Sequence, residues 1–281
     1  MTRTKKNIIG IIAGGGQFPL LFARTARKQG LKVYAVGHKG ETDDSLADYV
    51  DQLQWVKLGQ LGRIIDFFKQ EGVKKTVFLG SITKTNIFRD VRLDLTGLGL
   101  WNKINIKQDD AILRAIADRL AQDDIKVVSS SGYVPELLFP KGILTRKKPT
   151  KEQMEDIRFG WKIARETGRL DIGQCVVVRK RTVLAVEAIE GTDAAIRRGG
   201  SLGKEKAVVV KLRKPNQDLR FDLPAVGIQT LESMITVKAS VLAVEAEFAL
   251  FFDRDAVVGA ADKAGIIIVG LEEDETGTLS Y

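Results

Sequence analysis

The sequence predicts an α/β protein: an amino-terminal Rossmann-like parallel-sheet domain followed by a second, carboxyl-terminal α/β domain. Three observations carry this. Apolar runs of strand length alternate with amphipathic stretches of helix length, glycines follow the first such run, and a Pro-, Gly- and Lys-rich stretch interrupts the pattern near mid-chain. Short strand–helix–strand intervals build a parallel sheet, because parallel neighbours need a crossover between them.

Asn7–Ala13 is isoleucine-rich, the pattern of a strand buried on both faces. Gly14-Gly15-Gly16 break it. Gln17–Gln29 then sets Leu20, Leu21, Ala23 and Ala26 at near-helical spacing and closes at Gly30. Leu31–Val36 and Gln54–Leu58 are the next strands, Leu61–Glu71 is an amphipathic helix ending at Gly72, and Thr76–Leu79 is a strand stopping at Gly80-Ser81. Asn86–Trp101 has loop character. Asp109–Asp124 is the clearest helix, with Ile112, Ala115, Ile116 and Leu120 on one face and Asp109 and Asp110 where the dipole favours acids. Lys126–Val128 returns as a strand.

Pro140–Lys151 (PKGILTRKKPTK) marks the expected boundary, giving domains 1–140 and 141–281. Glu152–Glu166 reads as a helix capped by Gly168. Gln174–Val178 and Thr182–Ile189 form a hairpin about Arg179–Arg181, and Ala207–Leu212 is a further strand. Leu231–Thr236, Leu242–Val244, Arg254–Ala264 and Ile266–Val269 make an alternating β/α finish. No internal repeat and no low-complexity segment stands out.

The chain has 281 residues, 44% of them hydrophobic and 28% charged, which suits a soluble globular protein with ample material for a core. Its single Cys175 excludes a disulfide framework and a cysteine-based zinc site, leaves a buried apolar role, and fits a reducing cytoplasm. The single His38 excludes a two-histidine metal site and strains any histidine-assisted nucleophile; a surface position is expected for it. No apolar run approaches the ~20 residues of a spanning helix. MTRTKKN is basic, but it leads straight into a strand and lacks the apolar region of a signal peptide. The net charge of +8 points to an anionic partner: phosphate, nucleic acid or an acidic lipid surface. Nucleic acid is not expected, because the basic residues are dispersed and the 7% of aromatics form no stacking platform.

Chemistry concentrates between Asp171 and Gly227. Asp171, Glu187, Glu190, Asp193, Asp218 and Asp222 lie there with Arg179, Arg197, Arg198, Lys211, Arg213, Lys214 and Arg220. Glu187 ends the apolar run Val183–Val186, and Asp222 stands between Phe221 and Leu223-Pro224. A carboxylate so placed becomes a base or a metal ligand unless it simply faces water from an edge strand. Without histidine or cysteine clusters, any metal is a hard ion such as Mg²⁺, which needs only one or two carboxylates plus substrate phosphates. Lys211, Arg213 and Lys214 could neutralise phosphate charge in a transition state. In the first half, Gly14–Gly16 between strand and helix suits a phosphate or is a tight turn with no ligand, and Gly80-Ser81-Ile82-Thr83-Lys84 at the next strand's end faces the same crevice or is an ordinary surface turn. The dinucleotide pattern is incomplete: Pro19 stands at the third glycine, and Val36-Gly37-His38 replaces the ribose-binding acid.

Taken together, IIAGGGQFPLLFAR, GSITK, QDDAILRAIAD, LDIGQCVVV, VLAVEAIEGTDAAIRR and VKLRKPNQDLRFDLPAVG resemble one family. It is the UDP-2,3-diacylglucosamine pyrophosphatases of lipid A synthesis, the Mg²⁺-dependent type unrelated to metallophosphoesterases. The resemblance implies a two-domain enzyme, usually a homodimer, with UDP on the amino-terminal domain and the diacylglucosamine 1-phosphate part on the other. Water would attack the α-phosphorus, releasing UMP and 2,3-diacylglucosamine 1-phosphate. The essential aspartate falls at Asp222. The expected catalytic set is Asp222, Glu187, Asp193, Lys211 and Lys214, and Asp222, Glu187 and Glu190 are the expected metal ligands. Gly14, Gly15, Gly16, Gln17, Gly80, Ser81, Lys84, Asp109 and Asp110 are the expected nucleotide contacts. The basic surface would meet an anionic inner membrane, where a diacylated substrate resides. The alternatives are an NAD(P)-binding oxidoreductase and a non-catalytic nucleotide-sugar binding protein.

Overall fold

The structure is a computed structural model that describes residues 7–82, 94, 96–98, 109–221 and 223–281, with only the backbone described at 109–111. It divides into two units, Met1–Pro135 with Asp218–Asp222, and Glu136–Gln217 with Leu223–Tyr281. A short piece of the second half of the sequence therefore belongs to the first unit.

The first unit runs β1 (Ile8–Ala13), α1 (Phe18–Lys28), β2 (Lys32–His38), β3 (Gln52–Val56), α2 (Leu61–Gln70), β4 (Lys75–Leu79), α3 (Asp109–Ala121) and β5 (Lys126–Val127). Its sheet has the order β3-β2-β1-β4-β5 with every neighbouring pair parallel, as the alternating pattern predicts. Ile64, Ile65, Phe67 and Phe68 of α2 are all buried and pack with Ile12, Val36 and Val56 of the strands and Leu120 of α3. Gly10 in β1 is small for a reason: a Cβ there would lie 2.8 Å from Val73 and 3.0 Å from Phe68. Phe221 packs against this same cluster, its ring 5.8 Å from that of Phe78 at 66°.

The second unit runs β6 (Gly142–Ile143), α4 (Lys151–Arg169), β7 (Cys175–Arg179), β8 (Thr182–Val186), α5 (Thr192–Gly203), β9 (Val208–Lys211), β10 (Ala225–Val226), α6 (Ile228–Thr236), β11 (Val241–Glu245), β12 (Leu250–Phe251), α7 (Arg254–Ala264), β13 (Ile267–Glu273) and β14 (Leu279–Ser280). The main sheet follows β14-β13-β11-β9-β7-β8, with β6 added on β13. Strands β9, β11 and β13 are parallel, whereas β7 is antiparallel to both β8 and β9. Alternation along the strands gives it two dry faces. Val176, Val178 and Val210 meet Ile157 and Trp161 of α4; Val177, Val209 and Leu242 meet Ile196, Leu231 and Val257 of α5, α6 and α7.

Two readings are corrected here. Helix α4 does not stop at Gly168 but continues to Arg169, and a Cβ on Gly168 would press to 3.1 Å from Pro215. Helix α5 was not expected at all, because Gly199, Gly200 and Gly203 look like helix breakers. They are instead the contact face: a Cβ on Gly199 would stand 2.7 Å from Val177, and one on Gly200 would collide with Val237.

The β7–β8 hairpin turns on Lys180 and Arg181, both left-handed (φ 50° and 54°), as a two-residue turn between twisted strands requires. Neither residue favours that conformation. Buried Asp156 of α4 holds it by accepting the amides of Lys180 (2.9 Å) and Arg181 (2.6 Å). Losing this charged acceptor would leave two amides unpaired, so Asp156→Ala is expected to cost about 2–4 kcal/mol in urea unfolding. Replacing Lys180-Arg181 by Asn-Gly in that variant should restore part of the loss.

Candidate active site

In the first unit the two glycine segments are brought together. Gly14 N donates to Leu79 O (2.8 Å), Gly15 N to Ser81 O (2.7 Å), and Ser81 N to Gly15 O (3.1 Å). Gly14 and Gly80 must both be glycine, since a Cβ on the first would collide with the Ser81 carbonyl and one on the second with that of Gly15. This pairing has a consequence the sequence does not give: two of the three loop amides already serve the fold. Open space remains at Gly16, which has φ 88° and nothing within 4 Å of a would-be Cβ. Gln17 makes no side-chain cap on α1, and Pro19 enters its first turn.

His38 ends β2 and is buried, contrary to the expected surface position. It is 7% exposed, with Nδ1 donating to Ala13 O at 2.9 Å, and Thr42 Oγ1 donates to the same carbonyl at 2.7 Å. Burial pulls its pKa below the ordinary histidine value, against the smaller opposing effect of the Ala13 bond. The ring is therefore a neutral clamp on the end of β1.

In the second unit the polar groups gather where β9 and β11 end, the edge at which open parallel sheets present ligand-binding groups. Lys211 ends β9 opposite Cys175, and Glu245 ends β11 beside it. Lys211 is buried and donates to Ala225 O at 2.7 Å. Glu187, buried just past β8, accepts from Thr192 Oγ1 (3.0 Å) and weakly from Gln174 N (3.4 Å). Asp193 Oδ1 and Gln174 Oε1 are buried without a hydrogen-bond partner among the described residues.

Glu245 is the group the sequence reading missed. It receives Arg165 (2.9 Å) and the amide of Arg213 (3.0 Å), with the Arg213 side chain at 3.5 Å. Arg213 in turn lies 3.5 Å above the Phe248 ring, and Arg165 also reaches Glu273, which Trp161 Nε1 contacts. The signal was present: VLAVEA occurs twice, at 183–188 and 241–246, and each copy puts a glutamate at the same edge. The reading of no internal repeat is corrected to that extent.

The remaining expected residues are dispersed. Lys214 pairs with Asp171 (2.7 Å), and Glu190 with Arg198 (2.5 Å), whose hydrogen bond holds the Glu190 carboxyl below its usual range. Asp218 falls with the first unit and is forked by Arg220. Lys84 and Asp222, and the side chains of Asp109 and Asp110, lie outside the described residues. Among the described residues no group of three or more His, Cys, Asp or Glu side chains could hold a metal.

Cys175 sits inside this edge. Burial foremost, with Glu187 adding to it, pushes its thiol up to about 12. The folded protein should leave a disulfide reagent unconsumed at pH 8 and react with one equivalent after unfolding in guanidinium. Rapid native reaction would show the edge to be open.

A family model described as the LpxI N-terminal domain matches residues 8–137, and one described as the LpxI C-terminal domain matches residues 140–269. Over 278 residues the chain is 33% identical to the UDP-2,3-diacylglucosamine pyrophosphatase LpxI of Caulobacter vibrioides, covering 95% of this chain and 98% of that protein. Among solved structures it is similar to N5-carboxyaminoimidazole ribonucleotide synthetase from Thermotoga maritima (13% identity, 66% of this chain and 42% of that one, TM-score 0.26). It is also similar to the biotin carboxylase subunit of a pyruvate carboxylase (12%, 69% and 42%, TM-score 0.27). The chain spans less than half the length of either, and scores this low carry no argument. With both halves matched in order and a relative aligned almost end to end, the chain belongs to the LpxI family.

Proposed function

We propose that the protein hydrolyses the pyrophosphate bond of UDP-2,3-diacylglucosamine in lipid A biosynthesis. The observation that carries this is the 33% identity over 278 residues to a relative of that name. Water forms the new bond to the α-phosphorus as the bridging P–O bond breaks, so that UMP and 2,3-diacylglucosamine 1-phosphate leave.

The roles follow from chemistry. The glycine loops support the UDP phosphates at Gly16, where the backbone is open to close approach. Lys211 keeps donors beyond its bond to Ala225, and Arg213 is held rigid by Glu245 and Phe248, so both suit phosphate oxygens. Arg213 and Lys211 are thus the better-placed clamps of the three basic residues, since Lys214 is paired with Asp171. Asp222 activates the water or binds the metal.

Mg²⁺ fits the donor chemistry of the second unit. One or two carboxylates plus substrate phosphates suffice for it, and Asp193 Oδ1 is an orphaned buried oxygen. Glu187 and Asp193 are its best described ligands, with Asp222, whereas Glu190 is committed to Arg198. When bound, the ion would neutralise charge on the phosphate oxygens. The protein acts as a homodimer in the cytoplasm and touches the inner membrane through its basic surface. The net charge of +8 supports that contact, and no described helix is long and apolar enough to cross a membrane.

The oxidoreductase reading is not favoured, since Pro19 interrupts the glycine pattern and the family is a different one. The test is incubation with UDP-2,3-diacylglucosamine and Mg²⁺ in ¹⁸O-water. Wild type should release UMP carrying the label, and Asp222→Ala should be slower by about 10²-fold or more. Absence of UMP would remove the function and leave a sugar-nucleotide binder. Equal rates would remove Asp222 from the mechanism, and label only in the lipid phosphate would move the attack to the other phosphorus.

A further inference from the structure

At the other end of the second unit's sheet, where β9, β11 and β13 begin, lies an open cleft of about 1170 Å³ that the proposed reaction does not use. Among the described residues, five cations line it, Arg146, Lys147, Lys148, Lys206 and Lys238, against the one carboxylate of Glu205. Lys147, Lys148 and Lys238 make no ion pair with any described residue, although Arg146 reaches Asp262 (3.6 Å) and Lys206 reaches Glu205 (3.9 Å). The Lys147 ammonium stands over Gly265 at the cleft wall.

The backbone presents two of these like charges together. Lys206 and Lys238 are both left-handed (φ 57° and 52°), and Lys206 N donates to Lys238 O at 2.7 Å. Ser240 Oγ locks the turn by donating to Lys206 O (3.1 Å). Lys238 is the left-handed residue just past the end of α6, and the bond from Lys206 N holds the two cations side by side at one wall of the cleft. Aliphatic surface lies beside the charges: Ile235 is 42% exposed and Ile143 is partly exposed, while Ile266 is buried beneath them. No described aromatic side chain lines it, so among the described residues it offers no platform for stacking bases.

Positive charge beside exposed aliphatic surface matches a phosphate ester attached to a hydrocarbon. We propose that this cleft is a docking site for the headgroups of an anionic phospholipid bilayer, separate from the hydrolytic site. The inference rests on the proposed membrane contact and assigns it to one surface.

The full chain is sedimented with sucrose-loaded vesicles of phosphatidylcholine alone or with one third phosphatidylglycerol, in the absence of substrate. Binding is expected only to the anionic vesicles, weakening with salt, and Lys147→Glu/Lys148→Glu/Lys238→Glu should lose about tenfold or more of it. These lysines are exposed, and hydrolysis of detergent-dispersed substrate by the variant should match wild type. Equal vesicle binding by variant and wild type would overturn the proposal. So would wild-type binding abolished by millimolar glycerol phosphate alone, which points to a soluble phosphate ligand, or a variant that changes from dimer to monomer by light scattering, which makes the cleft an interface between copies. If wild type binds through the cleft yet releases no UMP, the hydrolase reading fails and the docking site stands.

Discussion

The ring of Phe221 ties the second half of the sequence into the first unit, beside charge interactions of Asp218 with Arg114 and of Arg220 with Asp118 on α3. The chain enters that unit at Asp218 and returns to the second at Leu223. Between them Phe221 packs edge-on against Phe78 and the cluster behind it. The fork between Arg220 and Asp218 (2.7 and 2.9 Å) is partly exposed and joins two residues of the same turn, so its contribution is about 0–1 kcal/mol. Fully burying a phenylalanine contributes about 1.5–3 kcal/mol, and an aromatic pair about 0.5–1.5 more. Even half-buried, the ring outweighs the ion pair as the anchor. Asp222, on which the proposed chemistry turns, follows that anchor in the chain.

In the second unit the same hexapeptide produces two different electrostatic outcomes. Glu245 and Glu187 both end a VLAV strand at one edge of the sheet and both are buried. Two guanidinium groups, themselves partly exposed, balance Glu245, so its buried charge is compensated. Among the described residues Glu187 accepts a hydroxyl and a weak amide bond and no more. Glu245 is thus a fixed support that aims Arg213, while Glu187 makes no ion pair within 4 Å with a described residue. This difference, rather than burial, separates a scaffold acid from a candidate ligand.

Much of the fold was legible in the sequence. Strands buried on both faces are long apolar runs, so β1, β2, β7 and β9 stand out, and the amphipathic face of α2 is unmistakable. Helix α5 was hidden because its glycines mean close packing, which depends on a partner strand the sequence does not display. Gly168 misled for the same reason. Of the candidate site, the glycine loops and Glu187 were readable from their place at strand ends. His38 was misjudged, since one histidine carries no periodic signal of burial, and its clamp on Ala13 is a contact between two strands. Glu245 escaped because its run resembled core, and only three-dimensional pairing with Arg165 and Arg213 reveals its role.

Amide hydrogen exchange on the 218–221 turn, compared between wild type and Phe78→Ala, tests the aromatic anchor most directly. Removing the ring beneath Phe221 should speed exchange of the Phe221 amide, which bonds Asp218 O at 2.9 Å, by about tenfold, the equivalent of 1.4 kcal/mol, and leave β7 and β9 unchanged. Unaltered exchange at Phe221 in that variant would contradict the anchor and leave the turn held by the charges of Asp218 and Arg220 and their interactions with Arg114 and Asp118.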